Sequence, residues 1–353
     1  MAVYTAINDA GSFFNTLLYS GNGTAIGSGG NTVTGVGFTQ DLTWIKNRNG
    51  ANIPSLQDTV RGATKELQPS EAAAEATDAE SISAFTSDGF NLGDSTRVNG
   101  SGLTYASWNW KAGTTTGINL DSADLTPSSY SFNQTSSFSV IAWRGVSATA
   151  PNTVPHGLGV KPDMIIEKNI TTPDGWYVYH SSLGATKNMI MNTTAAVDTS
   201  DQAWNDTEPT TTKFTTGVTG GVAGGVTEDL IAYCFASVQG YSKMGSYTGN
   251  GNADGPFVYT GFRPAYLLFK NADGVHAWLI FDNKRLGYNI ANYYLQADAA
   301  NAEDSAAYID ILSNGFKIRT TAGGLNTSGE TMIYAAFAES PFVNAEGVPT
   351  NAR

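Results

Sequence analysis

The sequence predicts an all-β protein, three tandem β-sandwich domains on one repeated plan. A phrase opening on glycine and closing on Lys-Asn occurs three times: from Gly37-Phe38 to Lys46-Asn47, from Gly159-Val160 to Lys168-Asn169, and from Gly261-Phe262 to Lys270-Asn271. The glycine precedes the lysine by nine residues in each. Gly62 follows Lys46 by 16, Gly184 follows Lys168 by 16, and Gly287 follows Lys270 by 17. Period-two apolar runs such as Trp176-Tyr177-Val178-Tyr179-His180 alternate with the turn pairs Asp88-Gly89, Asp174-Gly175, Asp273-Gly274 and Asn314-Gly315. Turns about every 8 to 12 residues mark antiparallel sandwiches of about eight short strands. Successive lysines lie 122 and 102 residues apart, too far for a solenoid and suited to independent domains.

In chain order, residues 1–112 hold a short polar leader and the first repeat. Its opening strand ends at Tyr19-Ser20-Gly21-Asn22-Gly23, and its closing strand is Leu103 to Trp108. Residues 113–136, rich in Thr, Ser and Gly, read as a linker. Residues 137–239 repeat the plan, closing on Leu230 to Phe235. Residues 240–343 repeat it again, from Tyr247-Thr248-Gly249-Asn250-Gly251 to Met332 through Phe337, and 344–353 form a tail. The glycine before each lysine strand is expected to supply a positive φ or a close backbone approach. Ala- and acid-rich inserts, Ser70 to Ala76 and Ala297 to Ala302, have no sustained apolar face and predict at most a helical turn on the surface. Trp44, Ile166 and Leu268 share one position and belong to a core.

Composition narrows the function. Only 14% of residues are charged and the net charge is −12. No basic stripe is visible, which argues against nucleic acid as a partner. No apolar run approaches the length of a membrane span. The N-terminus lacks the basic and apolar regions of a secretory signal, so synthesis in a cytoplasm is expected. Cys234, the single cysteine, sits in an apolar strand and reads as a buried structural thiol.

Catalytic patterns are sparse. His156, His180 and His276 occupy three different points of the repeat, and neither CxxC nor HExxH occurs. Asp58 and Asp282, each three residues before an arginine (Arg61, Arg285), could serve as hydrolytic carboxylates. A structural ion pair or turn cap fits them better, because repeat two has His180-Ser181-Ser182-Leu183 there. No cofactor is expected. The loop from Gly249 to Gly255 could offer oxygens to calcium, but turn chemistry explains its Asn, Asp and Gly without a metal. Trp204, Tyr293 and Tyr294 lie in loop-rich inserts and are the candidate surface contacts.

The phrases around Gly37–Lys46, Arg61–Lys65, Ser87–Phe90, His156–Lys168, Leu183–Lys187, Tyr241–Lys270 and Ser313–Phe316 resemble a module of virion proteins from marine tailed bacteriophages. That module often occurs in tandem and is described as tail-fibre-like or structural. The resemblance implies concanavalin-like jelly rolls and a place in the virion, and it supplies no catalytic residue. It implies three sandwiches in a row, forming a fibre that contacts the host surface, as a homotrimer in the manner of such fibres. Its partners would be other virion proteins and a host surface glycan. Two other readings stand beside it: a capsid decoration or head-fibre protein, and a carbohydrate-active enzyme.

Overall fold

A computed structural model describes residues 5–146, 151–218, 220–285 and 291–350. The chain is all-β, with several antiparallel sheets and, among the described residues, three α-helical turns of four residues and two 3-10 turns of three. No helix among the described residues is long and apolar enough to cross a membrane.

Each repeat builds the same four-stranded arrangement. The lysine strands are Leu42–Asn47, Met164–Asn169 and Phe262–Asn271, and the closing strands are Thr104–Trp110, Asp229–Phe235 and Thr331–Pro341. Every closing strand lies between its repeat's opening strand (Phe14–Ser20, Phe138–Arg144 or Ser242–Thr248) and its lysine strand. A flanking strand (Ser55–Asp58, Trp176–His180 or Leu279–Asp282) pairs with the other edge of the lysine strand. The lysines share one register, with Lys46 opposite Ala106, Lys168 opposite Ile231 and Lys270 opposite Ile333. Gly37, Gly159 and Gly261 have φ of 84°, 74° and 87°, the left-handed turn that glycine enters without a Cβ penalty. Gly287 lies outside the described residues.

A second layer covers one face of each sheet. Its common element is a short strand paired with the Gly-Phe or Lys-Phe strand late in the repeat: Asn31–Thr34 with Gly89–Leu92, Asn152–Pro155 with Lys213–Thr216, and Phe257–Tyr259 with Gly315–Ile318. Between the layers, Ile45, Phe90 and Tyr105 pack in repeat one, and Ile165, Phe214 and Cys234 pack in repeat two.

The opposite face of each main sheet is also buried, against the other two repeats. Trp44, Ile166 and Leu268 occupy one continuous core at 3%, 6% and 3% exposure. At its centre, Trp110, Phe235 and Phe337 come from equivalent places in the three closing strands. They form a triangle of ring contacts at 6.2 Å (Trp110–Phe235), 5.5 Å (Trp110–Phe337) and 5.7 Å (Phe235–Phe337). The repeats are therefore not sandwiches in a row. Their sheets close around a local three-fold within one chain, and residues 42–47, 164–169 and 264–271 of the lysine strands are accordingly buried on both faces.

Two further expectations are corrected. Residues 113–136 are not a free linker, since Ser129–Asn133 forms an edge strand on Phe138–Arg144, Leu125 is buried, and Gly113 N–H donates to Ser131 Oγ at 2.8 Å. The Ala-rich inserts are not helical turns. They run as irregular loops and turns, so that their carbonyls point at a neighbouring repeat instead of closing a helix.

Candidate functional site

The polar residues that the repeats share are buried, and they tie one repeat to the next. Lys46 Nζ donates to Ala299 O at 2.6 Å, Lys168 Nζ to Ala72 O at 3.1 Å, and Lys270 Nζ to Thr194 O at 3.1 Å. Repeat one thus reaches repeat three, repeat two reaches one, and repeat three reaches two. A backbone hydrogen bond accompanies each latch: Glu303 N to Arg48 O, Glu75 N to Ile170 O, and Val197 N to Ala272 O. Burial pulls all three ammonium groups down to about 8, with the Asp298 carboxylate opposing that shift at Lys46 and Lys270 and Asp174 at Lys168.

The carboxylates considered for hydrolysis lie on the same seams. Asp58 Oδ2 accepts from Arg61 Nε at 2.6 Å, and Asp282 Oδ2 from Arg285 Nε at 2.7 Å. The other oxygen of each caps its arginine's backbone N–H at 2.8 and 2.9 Å. Tyr233 Oη of repeat two donates to Asp58 at 2.7 Å, and Trp108 Nε1 of repeat one donates to Asp282 at 3.1 Å. Repeat two has His180 in place of the aspartate, and repeat three has Ala335 where repeats one and two have Trp108 and Tyr233. His180 Nε2 instead meets the backbone carbonyl of Tyr334 at 3.3 Å. The substitutions on the two sides of this seam match each other.

The predicted surface contacts divide. Trp204 is buried at 2% exposure, its ring centroid 5.9 Å from that of Tyr179, because its loop folds back over the repeat-two core. Tyr293 is exposed. Tyr294 is half-buried, stacked on Tyr308 at 5.2 Å, with its hydroxyl donating to Asp304 Oδ2 at 2.9 Å. In the Gly249–Gly255 loop several side-chain oxygens have protein partners. Asn250 Oδ1 accepts from Asn252 N–H, Asn252 Oδ1 from Asp254 N–H, and Asp254 pairs with Lys317 at 2.7 Å.

Tyr294 and Gln296 separate two recesses in repeat three. One, of about 260 Å³, is lined also by His276, Tyr308, Gly323 and Gly324; the other, of about 270 Å³, by Asn301, Glu303 and Asp304. A recess of about 290 Å³ occupies the matching place in repeat two, over Asn188 and Ile190. The match follows from strand register, since Leu67, Met189 and Leu295 lie opposite Leu56, Val178 and Ile280. Glu66 of repeat one therefore occupies the place of Tyr294. There Arg97 Nη1 reaches Glu66 Oε1 at 2.7 Å, and Ser55 and Ser81 each donate to Glu66 Oε2 at 3.0 Å. In repeat one an ion pair occupies this place. Sequence reading missed His276, Gln296, Tyr308 and the glycines. Aligning the short segments before the closing strands sets Thr96-Arg97 of repeat one on Gly323-Gly324 of repeat three, a signal for the glycines alone that gains its meaning only in the fold.

These features define a class: a repeat protein whose shared polar residues lock a three-fold core and whose surface recesses differ between copies. The chain belongs to the DUF7483 family, described as a domain of unknown function, whose model matches residues 9–341 across all three repeats. No curated protein and no solved structure matches it.

Proposed function

We propose that this chain is a non-catalytic structural protein of a bacteriophage virion that contacts the host surface as a tail fibre or tail-associated adhesin. Each repeat is read as a concanavalin-like jelly roll. One observation carries the non-catalytic part of this reading: Asp58 and Asp282, the carboxylates best placed for hydrolysis, are each held by an arginine and by a donor from the neighbouring repeat. Both are buried, so neither carboxylate is within reach of a substrate. A rigid core of this kind instead fixes surface loops and recesses for non-covalent contact.

The closed three-fold core favours a second reading, a capsid decoration or head-fibre protein. A homotrimeric fibre would place three such cores side by side, whereas a decoration protein could dock as one block. Reconstruction of the intact particle tests both. Density for three chains at a tail position supports the adhesin, and single blocks on the capsid lattice support decoration. Absence of the chain from purified particles would refute both.

A further inference from the structure

We propose that the paired recesses around Tyr294 and Gln296 in repeat three form a binding site for a neutral saccharide. This deepens the adhesin reading and rests on it for its biological setting. The internal comparison supplies the first argument. In repeat one, Arg97 and Glu66 close the site with an ion pair at 2.7 Å. In repeat three the corresponding residues are Gly324 and Tyr294, so both the plug and its anchor are gone. Gly324 leaves open space rather than satisfying a backbone need: an added Cβ would meet only ordinary contacts, at 3.7 Å from His276 Cβ and Leu279 Cδ1.

The lining supplies the second argument. His276 is half-buried, and its imidazole makes no hydrogen bond among the described residues. Gln296 Oε1 accepts from Asn301 Nδ2 at 2.7 Å, which leaves the Gln296 amide N–H groups to point at a ligand. Tyr294 and Tyr308 supply an aromatic wall. An apolar wall with a few fixed polar groups is the usual composition of a small-molecule site. No lysine or arginine lines either recess, and although Glu303 is paired with Arg48 at 2.9 Å and Arg285 at 3.2 Å, Asp304 adds a carboxylate without a cation among the described residues, so phosphate and other anions are disfavoured. A hydroxyl-rich, uncharged ligand satisfies the Gln296 amide and the His276 imidazole together, against the ring faces of the tyrosine pair. Repeat two keeps an open recess at the same place, where Asn188 replaces the tyrosine, and would be a weaker second subsite.

The test uses the full chain and saturation-transfer NMR against neutral glucose-, galactose- and mannose-based trisaccharides. Saturation transfer to at least one is expected, with its loss in the Tyr294→Glu/Gly324→Arg variant that restores the repeat-one plug. Gln296→Ala is the second variant. It should weaken transfer while leaving the thermal midpoint unchanged, which separates a lost ligand contact from a lost fold. No transfer to any probe, or transfer unchanged in both variants, overturns the proposal. A chain that binds sugar yet is absent from particles refutes the adhesin reading alone. A chain present in particles whose recess ignores every probe refutes the saccharide site alone.

Discussion

The ammonium of Lys46 in repeat one lies 2.6 Å from the carbonyl oxygen of Ala299 in repeat three, and both other lysines repeat this reach into a neighbour. Replacing any one by methionine keeps the apolar stem but leaves carbonyls without a donor. A loss of about 1–3 kcal/mol is expected for Lys46→Met, Lys168→Met or Lys270→Met. Urea denaturation of the three variants checks it, and three near-zero values would show that the latches contribute no stability.

A shared core makes unfolding a property of the whole chain. Heating is expected to give one calorimetric transition whose van't Hoff enthalpy matches the calorimetric one. Phe337→Ala should cost about 3–5 kcal/mol, because the cavity opens against Trp110 and Phe235 as well as within repeat three. Three separable transitions would contradict the common core.

Acid should loosen the protein through two histidines. At His156 and His180, Nδ1 accepts a backbone N–H (from Leu158 and Ser182) while Nε2 faces a carbonyl. A second proton would set donor against donor. Burial pulls both rings from 6.5 to about 4. Their stabilisation is complete above pH 6.5, where both states are neutral, and is lost as pH falls through 4, since the unfolded chain binds protons first. The urea midpoint should rise between pH 4 and 6.5, and this rise should be smaller in His180→Asn.

Glu167 works in the opposite direction. It is fully buried in the repeat-two lysine strand, neither carboxyl oxygen has a hydrogen-bond partner among the described residues, and burial pushes its pKa well above 4.5. Its neutral form is stable below pH 4.5, and that advantage is lost as pH rises towards the folded value. Ile45 and Phe269 hold the equivalent place. Glu167→Leu should therefore stabilise the protein at pH 7 by about 1–3 kcal/mol and steepen the histidine-driven rise. A destabilised Glu167→Leu would mean that the carboxyl has a role the core geometry does not explain.

Much of the local structure was legible from residue type and spacing. The lysine strands, the left-handed glycines before them, the buried Cys234 and the shared place of Trp44, Ile166 and Leu268 follow from period-two patterning and turn chemistry. Trp204 was misread because sequence marks an insert as irregular without showing whether it folds outward or back over the core. The Ala-rich inserts were misread because helix propensity is a weak local preference, and here buried lysines of another repeat compete for the carbonyls.

By itself, the sequence determined three copies of one β plan, because repeat spacing and alternation are properties of the chain read along its length. Only tertiary structure decided that the copies close on one another. Both faces of a strand can be apolar whether the second face meets its own layer or a neighbouring repeat, and the distinction emerges only when Trp110, Phe235 and Phe337 meet. The recess in repeat three arose the same way: two glycines mean nothing along the chain until the fold places them where repeat one keeps Arg97 on Glu66.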